Sequence, residues 1–557
     1  MKKIFLNIAL AGVVALGVSS CADELNISPI DPQMTGSYDD MELLGKIYGT
    51  LGLTGQEGAA GKGDISGNEG ESGFYRTTFN LMELPTDEVN WAWQTDPDIP
   101  QITGIGWNSS SQRVAWAFQR LAFDNTLYNF YLANTEGRTD GEYTRYRAEA
   151  RFLRALHYWY FLDLWHKAPF KTSFDINELP VQKEGKELYD WIDNELTEVE
   201  KDLAEVGAFN NSANFGRADK GAAYLLHARL ALNSEVYTDG QVKDYQKAID
   251  YCDRIISSGA YALSKESKNG YSGYAQVFMA DNDENPQAMK EIILPIRQDG
   301  LKTRCYSGAN YLVSSMRISG MPYMGTSNGW SCNYARPSLI QKFFPNNNIP
   351  MSTEAAPDGS TEADIIALDA QDGSDTKSIL AAALDDRALF YAGRGGGIRK
   401  LSTDKLNNFL DGISIVKWNN IRTDGGATHD VEFPDVDIPL LRYAEVFLTK
   451  AEALYRLGHA DDALDLINTT IRDRAHANAL PSINDQTLID EWCREFYTEG
   501  RRRSDLNRFN MFVGGNYIWA WKGGTAEGRT VDGHFKIYPI PVDDVMGNEN
   551  LKQNTGY

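Results

Sequence analysis

Positive charge, cysteine and histidine are all scarce in this chain. Lysine and arginine number 54 against 77 aspartates and glutamates, which leaves a formal net charge of −23. An acidic surface repels phosphate backbones, so the composition argues against a nucleic-acid partner. Only five cysteines and seven histidines are present, and neither residue type recurs with the spacing of a zinc site.

Disulfides and histidine chemistry are also weakly supported. The cysteines beyond the N-terminal segment lie far apart in the sequence, so we expect free buried thiols, with a Cys305–Cys332 disulfide as the open alternative. His157 and His227 fall in apolar helical runs, so we expect them to be core or interface residues. Besides Cys305 and Cys332, the cysteines beyond the N-terminal segment are Cys252 and Cys493.

Two further sequence signals are missing. The glycine cluster at 395–397 lacks the Lys-Ser/Thr pair that follows a phosphate-binding loop. The apolar run at 4–18 is too short to span a bilayer, and the sequence becomes polar abruptly after it. These patterns argue against a phosphate-binding loop at 395–397 and against a membrane span at 4–18.

The N-terminal run has the pattern of a bacterial lipoprotein signal. Two lysines open it, and small residues lead directly to Cys21. We predict a signal peptide over residues 1–20, acylation of Cys21 after cleavage, and a lipidated tether over 21–40. The alternative is an ordinary signal peptide with a chance cysteine. Asp23 and Glu24 resemble the surface-export signal of Bacteroidetes lipoproteins, which implies a lipid-anchored protein on the outer face of the outer membrane.

Helical periodicity dominates residues 41–557, which we predict to form one mainly α unit. Paired helical segments with Ala and Tyr at crossing positions are typical of tetratricopeptide-like helix pairs. Long loop-rich insertions at about 45–115 and 270–435 are expected to carry the function. Ten glycines over 45–73 argue against a regular helix there. The predicted helices cover 143–167, 188–206, 218–237, 245–257 and 441–457, which Gly458 ends, and then a segment to Ile471 capped by Asp461 or Asp462.

Five ordered segments carry a family resemblance that spans nearly the whole mature chain. They are 147–156, 441–448 with 451–453, 494–502 with 505–506, 538–541 and 553–557. Together they resemble the SusD/RagB family of surface glycan-binding lipoproteins. The resemblance implies a SusD-like helical scaffold, a role in binding without catalysis, and delivery of glycan to a SusC-like TonB-dependent outer-membrane transporter.

Several loops also resemble the starch-binding member of that family, which implies starch or another α-glucan as the ligand. These loops are 71–80, 83–88, 91–94, 302–306 and 328–332. Sugar rings present flat C–H faces that pack on aromatic side chains. Trp93, Tyr306 and Trp330 match aromatic positions of the starch-binding member, and the resemblance implies three platforms along a curved α-1,4-glucan. Of the two neighbouring tryptophans we favour Trp93 as the sugar contact and assign Trp91 to packing.

Polar groups at the same loops are expected to contact sugar hydroxyls. Arg76 matches a position that supplies such hydrogen bonds. Asp96 stands where the starch-binding member carries asparagine, and because a carboxylate cannot donate, we expect that contact to survive only in part. Trp107 is a further candidate for an exposed aromatic.

Two acidic loops, 281–286 and 435–437, supply the hard oxygen donors that Ca²⁺ prefers, although neither has the EF-hand pattern. Both match the starch-binding member. The resemblance implies a structural calcium site involving Asp283, Asp435 and Asp437. The alternative interpretation is a solvated acidic turn.

Three other functions stay open on the sequence alone. Among 77 acidic residues, a carboxylate pair could reach the separation found in glycoside hydrolases, although no motif singles one out. The helix pairs could serve a protein adaptor whose aromatic residues face another protein. The surface lipoprotein could also bind a glycan other than starch.

Overall fold

The structure is a computed structural model. It describes residues 39–557 except 60, 61, 69, 176, 211, 212, 319, 320, 322, 328, 347, 348, 350–378, 380, 393–399 and 410. The predicted signal peptide, Cys21, the tether up to residue 38 and the glycine cluster at 395–397 lie outside the described residues. The chain divides into two compact units, residues 1–45 and 46–557.

Helices make up most of the regular structure, which confirms the mainly α prediction. The α-helices are α1 (Asp40–Gly49), α2 (Phe74–Met82), α3 (Ile99–Thr103), α4 (Gln112–Asn134), α5 (Gly141–Trp165), α6 (Gly185–Val199), α7 (Lys220–Leu232), α8 (Ser234–Tyr237), α9 (Tyr245–Ser258), α10 (Gly273–Gln276), α11 (Pro286–Glu291), α12 (Ala309–Met316), α13 (Pro337–Lys342), α14 (Tyr443–Arg456), α15 (Ala460–Ile467), α16 (Asp485–Phe496), α17 (Arg502–Arg508) and α18 (Val542–Gly547). A π-helical segment, Asn468–Arg472, continues α15, and 3₁₀ turns occupy Lys522–Gly524 and Gly533–Lys536.

Short antiparallel strand pairs connect the loops. The strands are β1 (Val89–Trp91), β2 (Lys167–Phe170), β3 (Val181–Glu184), β4 (Ile292–Ile296), β5 (Asn333–Ala335), β6 (Phe390–Tyr391), β7 (Ser414–Ile415) and β8 (Ile438–Arg442). They pair as β1 with β5, β2 with β3, β4 with β8 and β6 with β7. The β1–β5 and β4–β8 pairs join segments that are far apart in sequence, so they fix the two loop-rich insertions to each other and to the scaffold.

Packed helix pairs form the scaffold, as predicted. Helix α5 packs against α4 and α6, α7 packs against α9, and α9 packs against α14. Between Ala148 and Trp165 every residue of α5 except Arg151 is buried. A helix that is covered around most of its circumference lies in the interior, so α5 forms the centre of this part of the core.

Six predicted core residues behave as expected. The cysteines Cys252, Cys305, Cys332 and Cys493 are free and buried, so the Cys305–Cys332 alternative does not apply. His157 and His227 have no exposed surface. His157 contacts Asp124 through Nε2 at 3.2 Å, and His227 contacts Asp193 through Nδ1 at 3.1 Å. Both rings are therefore structural core groups.

Several local predictions were wrong. Helix α1 runs to Gly49, so the first five residues of the glycine-rich segment are helical. Glycine is less favourable than alanine in a helix, so these positions lower the stability of α1. The predicted helix at 218–237 breaks at Asn233, whose ψ of 9° leaves the helical region. His459, rather than Asp461 or Asp462, occupies the N-cap of α15, and the two aspartates lie in its first turn, where negative charge is favourable.

The end of α14 is as predicted, because Gly458 adopts the left-handed conformation with φ of 90° directly after the last turn. Over the described ranges, none of the helices has both the length and the apolar content needed to cross a bilayer.

Candidate functional site

An open cavity of about 900 Å³ lies among the inserted loops. It brings together all five residues predicted to bind the ligand, Arg76, Trp93, Asp96, Tyr306 and Trp330. Those residues come from segments more than 200 positions apart, and the loop-rich insertions that supply them are the ones predicted to carry function. The other lining residues are Asn68, Gly70, Glu71, Trp91, Gly329, Ser331, Cys332, Phe409 and Glu432.

The Trp330 loop is held by the C-terminal end of α12. A helix leaves its last four carbonyl groups without internal partners. The N–H of Trp330 donates to the Ser314 carbonyl at 2.7 Å, and the N–H of Cys332 donates to the Ser315 carbonyl at 3.0 Å. A side chain at position 329 would place Cβ 2.9 Å from the Arg317 carbonyl oxygen, so the loop needs glycine there. The backbone therefore sets the position of the Trp330 ring.

Trp93 extends from the end of β1 and is tied to the same loop. The β1–β5 register places Trp91 opposite Asn333, and the N–H of Ala92 donates to the Cys332 carbonyl at 2.6 Å. The Trp93 indole N–H then donates to the Trp330 carbonyl at 2.8 Å. The two tryptophan platforms are thus connected through the backbone.

The two tryptophans differ in exposure as predicted, because β1 ends at Trp91 and the chain leaves the strand before Trp93, whereas residues two apart in a continuous strand would share a face. The Trp93 side chain is 45% exposed, whereas Trp91 is 2% exposed. Trp91 stacks on Tyr311 with ring centroids 5.7 Å apart, and Trp93 meets Phe409 edge to face at 4.9 Å. Trp91 is part of the cavity wall, but its ring is buried and serves in packing. Trp93 is the exposed ring of the two.

Tyr306 forms the opposite part of the wall. Its ring centroid is 6.3 Å from that of Trp330 and 5.4 Å from that of Phe433. The hydroxyl donates to Glu432 Oε1 at 3.1 Å. Burial and the Glu432 carboxylate raise the pKa of Tyr306, and the hydrogen bond to Glu432 fixes the edge of the ring.

Arg76 connects the loops beneath these rings. It is buried on α2, and its Nη1 donates to the carbonyls of Gly70 at 3.1 Å and Tyr306 at 3.2 Å. Its Nη2 pairs with Glu71 at 2.8 Å. The guanidinium also lies 5.4 Å from the Trp330 ring centroid, a cation–π distance. Arg76 lines the cavity as predicted, and its contacts give it an additional role in positioning both Tyr306 and Trp330.

Asp96 lies at the cavity edge in the turn after Trp93. Its N–H donates to the Trp93 carbonyl at 3.1 Å, and its Oδ2 accepts the indole N–H of Trp91 at 3.1 Å. One carboxylate oxygen is therefore used to hold Trp91. The carboxylate adds an acceptor at the rim and no donor.

Other parts of the wall were missed by the sequence interpretation, and one candidate was wrong. Phe409 and Glu432 lie in a segment without any motif, so only the fold reveals that they reach the cavity. Glu71 begins the loop 71–80, but its ion pairs with Arg76 and Arg113 have no sequence signal. Trp107 is 2% exposed and donates its indole N–H to the Tyr557 hydroxyl at 2.8 Å, so the prediction that it is an exposed aromatic was wrong.

The charges around the cavity disfavour an anionic ligand. Asp96 and Glu432 place carboxylates on its wall, whereas Arg76 is neutralised by Glu71. An anionic ligand would be repelled. Ring faces combined with hydrogen-bonding groups at their edges suit a ligand that has both apolar faces and hydroxyl groups.

The predicted calcium ligands lie near one arginine. Arg297 contacts Asp283 Oδ2 at 2.8 Å through Nη2 and Asp437 Oδ2 at 3.2 Å through Nε. Asp435 lies beside His429, whose backbone N–H donates to Oδ2 at 3.0 Å. Burial raises the pKa of all three carboxyl groups.

The donor set is only partly assembled. Asp435 Oδ1 and Asp437 Oδ2 are buried and accept no hydrogen bond from the described residues. Within the part of the chain that the structure describes, no group of three or more His, Cys, Asp or Glu side chains is positioned to hold a metal ion. The calcium site therefore stays a prediction.

Comparison with known proteins assigns this helix-pair scaffold to one family. The family model of the SusD family matches residues 290–557. The starch-binding protein SusD of Bacteroides thetaiotaomicron is 54% identical over 564 aligned positions, which cover 100% of this chain and 99% of that protein. The chain belongs to the SusD family.

Solved structures show the same fold at much lower identity. A SusD-like protein from Bacteroides fragilis has a TM-score of 0.65 at 19% identity and covers 95% of this chain and 100% of its own. Surface glycan-binding protein A from Bacteroides thetaiotaomicron, solved in complex with laminarihexaose, has a TM-score of 0.61 at 17% identity, with coverages of 92% and 98%.

Proposed function

We propose that this protein binds starch-like α-glucans, including maltooligosaccharides, in the 900 Å³ cavity. One observation carries the proposal: Trp93, Tyr306 and Trp330 line a single open cavity in a chain that is 54% identical, over its full length, to a protein named for starch binding. Each ring contact contributes only about 0.5–1.5 kcal/mol beyond area burial, so a polysaccharide binder needs several platforms. The tilted arrangement of Tyr306 and Trp330 suits a curved glucan better than a flat chain.

The protein acts in this proposal by capture alone. Glucan held in the cavity is delivered to a SusC-like TonB-dependent transporter in the outer membrane. A lipid on Cys21 keeps the protein at the outer face of that membrane, beside the transporter, because several acyl chains make a lasting anchor. Support comes from the small residues before Cys21 and the acidic pair after it.

Affinity electrophoresis in gels that contain soluble starch tests the glucan proposal. We expect the wild type to be retarded and a Trp93→Ala/Tyr306→Ala/Trp330→Ala variant to migrate as in a starch-free gel, because the platforms are gone. All three side chains are at least partly exposed, so the variant should keep its fold, which its melting temperature checks. A Tyr323→Ala variant removes an aromatic side chain that is 62% exposed outside the cavity and should be retarded like the wild type.

Two results would contradict the proposal. Equal migration of the wild type with and without starch would refute glucan binding, and retardation of the triple variant would place the site elsewhere. New reducing ends after incubation of the pure protein with maltooligosaccharides would instead support a glycoside hydrolase.

We further propose a structural calcium ion at Asp283, Asp435 and Asp437. The support is Asp435 Oδ1, which is buried and accepts no hydrogen bond from the described residues, and the repulsion of Asp437 by Asp283 and of Asp283 by Asp435. Binding would require Arg297 to leave the carboxylates that it now contacts, and its side chain is 37% exposed. An ion that binds only the folded state stabilises it by about 2.7 kcal/mol at 100 times its dissociation constant.

Thermal unfolding with added calcium or with EGTA tests the ion. We expect calcium to raise the melting temperature of the wild type and to leave Asp435→Asn/Asp437→Asn unchanged. Asp424→Asn, which alters an exposed carboxylate in the neighbouring loop, should respond like the wild type. A metal assay that detects no bound calcium in protein incubated with calcium would refute the site.

A further inference from the structure

A second cavity, of about 260 Å³, lies between α4 and the loop that joins β2 to β3. It is separate from the residues of the aromatic cavity. Its floor is formed by α4, and its rim is formed by the β2–β3 loop. Its lining residues include Asn125, Asn129, Tyr158, Lys171, Phe174 and Pro180.

Asn125 at the floor of this cavity lacks hydrogen-bond partners. Its side chain is 4% exposed, and among the described residues neither Nδ2 nor Oδ1 has a partner. The neighbouring Asn129, by contrast, has a partner at each atom, because its Nδ2 donates to the Lys171 carbonyl at 2.9 Å and its Oδ1 accepts from Arg154 at 2.7 Å. A buried amide without partners is unfavourable unless a ligand or water satisfies it.

The cavity is unsuited to an anion. Lys171 is the basic residue of the wall, and its ammonium group donates to the carbonyls of Asp175 and Glu178. The carboxylates of Asp175 and Glu178 are exposed on the rim and would repel negative charge.

An extended peptide also finds few partners here. Peptide capture by strand addition needs free backbone groups on an edge. The Lys171 carbonyl already accepts from Asn129 and from the Tyr158 hydroxyl at 2.8 Å. The Pro180 carbonyl accepts from Asn548 at 2.9 Å and from Asn550 at 3.2 Å. The loop carbonyls are therefore used within the protein.

A neutral sugar ring fits what remains. Phe174 is 42% exposed and is held against Phe130 with ring centroids 4.9 Å apart, so it offers a fixed apolar face. An amide group presents a donor and an acceptor side by side, as neighbouring hydroxyls on a sugar require. The cavity is smaller than the about 300–1,000 Å³ typical of sites for drug-sized ligands, which suits a single ring.

We propose that this cavity binds one neutral pyranose ring, with Asn125 bonding two adjacent hydroxyl groups and Phe174 covering an apolar face of the sugar. The site is independent of the aromatic cavity. It would hold a chain end or a branch residue of a glycan, and it would operate whether or not the first cavity binds starch.

Saturation-transfer NMR on the full mature chain tests this site. The Trp93→Ala/Tyr306→Ala/Trp330→Ala variant serves as the background, so that signals from the first cavity are removed. The probes are D-glucose, D-galactose and D-mannose, each at millimolar concentration. We expect saturation transfer to at least one probe, and a loss of at least fivefold in that signal on adding Asn125→Leu or Phe174→Ala. The matched control is Leu457→Ala, which removes a side chain of 41% exposure outside the cavity and should leave the signal unchanged.

The melting temperature separates loss of binding from loss of folding. Asn125→Leu removes no hydrogen bond within the described structure, so its melting temperature should equal or exceed that of the background. No transfer to any of the three sugars, or equal transfer with Asn125→Leu, would overturn the proposal. So would a clear drop in melting temperature for Asn125→Leu without sugar, because it would show that the amide already has partners.

Discussion

At the scale of single residues, the ring platforms are positioned by backbone hydrogen bonds. Trp93 and Trp330 are linked by one indole-to-carbonyl bond of 2.8 Å, and Arg76 donates to the Tyr306 carbonyl. The sequence resemblance predicted which residues line the cavity, because the motifs around them are local. It could not predict Phe409 or Glu432, whose approach depends on how distant loops pack.

Asp96 gives the sharpest test at this scale. We expect Asp96→Asn to bind maltoheptaose more tightly, because asparagine can accept from Trp91 as Asp96 does and can also donate to a sugar hydroxyl. A net hydrogen bond contributes about 0.5–1.5 kcal/mol, which corresponds to a roughly two- to tenfold lower dissociation constant. Isothermal titration calorimetry measures the change.

The control for that experiment is Asp98→Asn, two residues further along the chain. Asp98 does not line the cavity, and its Oδ2 accepts from the Arg113 backbone at 3.1 Å. We expect no change in affinity for this variant. Weaker binding by Asp96→Asn would contradict the interpretation and show that the carboxylate itself is the better partner for the sugar.

At the scale of elements, helix pairing was predictable and the loop supports were not. Apolar periodicity indicated α5, α9 and α14, because a buried face leaves a regular pattern. The breaks at Asn233 and at the N-cap of α15 depend on local backbone conformation that periodicity does not encode. The contact between the end of α12 and the Trp330 loop joins elements that are near in sequence, but it depends on carbonyl groups and carries no side-chain pattern.

Helix α16 contributes buried carboxylates to a network of arginines. Glu495 has no exposed surface and accepts hydrogen bonds from Arg387 at 3.1 Å, Arg442 at 2.7 Å and Arg474. Burial alone would raise the pKa of Glu495, but the three arginines lower it well below its ordinary value. This group therefore stabilises the fold above the unfolded pKa of about 4.3, and the contribution is lost as the pH falls below that value.

We accordingly predict that the urea midpoint of the wild type falls steeply below about pH 4. Glu495→Gln should cost about 3–5 kcal/mol at pH 7, because it leaves buried arginine charge without its partner. The same variant should lose less of its remaining stability between pH 5 and pH 3 than the wild type does. Urea unfolding curves at pH 7, 5, 4 and 3 measure both effects.

Glu187→Gln provides the control, since Glu187 is an exposed carboxylate on α6 that pairs with Lys183 at the surface. Its effect on the urea midpoint should be small at every pH. An acid response of Glu495→Gln identical to that of the wild type would show that the α16 network does not govern acid stability.

Glu83 affects the pH dependence of stability in the opposite direction to Glu495. Burial raises the pKa of Glu83, so its contribution to the stability of the fold is largest at low pH.

At the scale of the whole molecule, the acidic composition and the aromatic loops fit one account. A net charge of −23 leaves the proposed lipid on Cys21 as the means of membrane attachment, because anionic head groups would repel the protein. The scaffold supplies rigid positions, and two inserted regions supply the binding groups. Fold and family followed from sequence motifs, whereas the second cavity around Asn125 has no motif and is visible only when α4 and the β2–β3 loop come together.

A crystal structure of the protein with maltoheptaose is the decisive test of glucan binding. We expect a curved glucan in the first cavity, with sugar faces on Trp93, Tyr306 and Trp330 and hydroxyl contacts at Asp96. An empty cavity at a saturating concentration of maltoheptaose, or a glucan bound only at another surface, would contradict it.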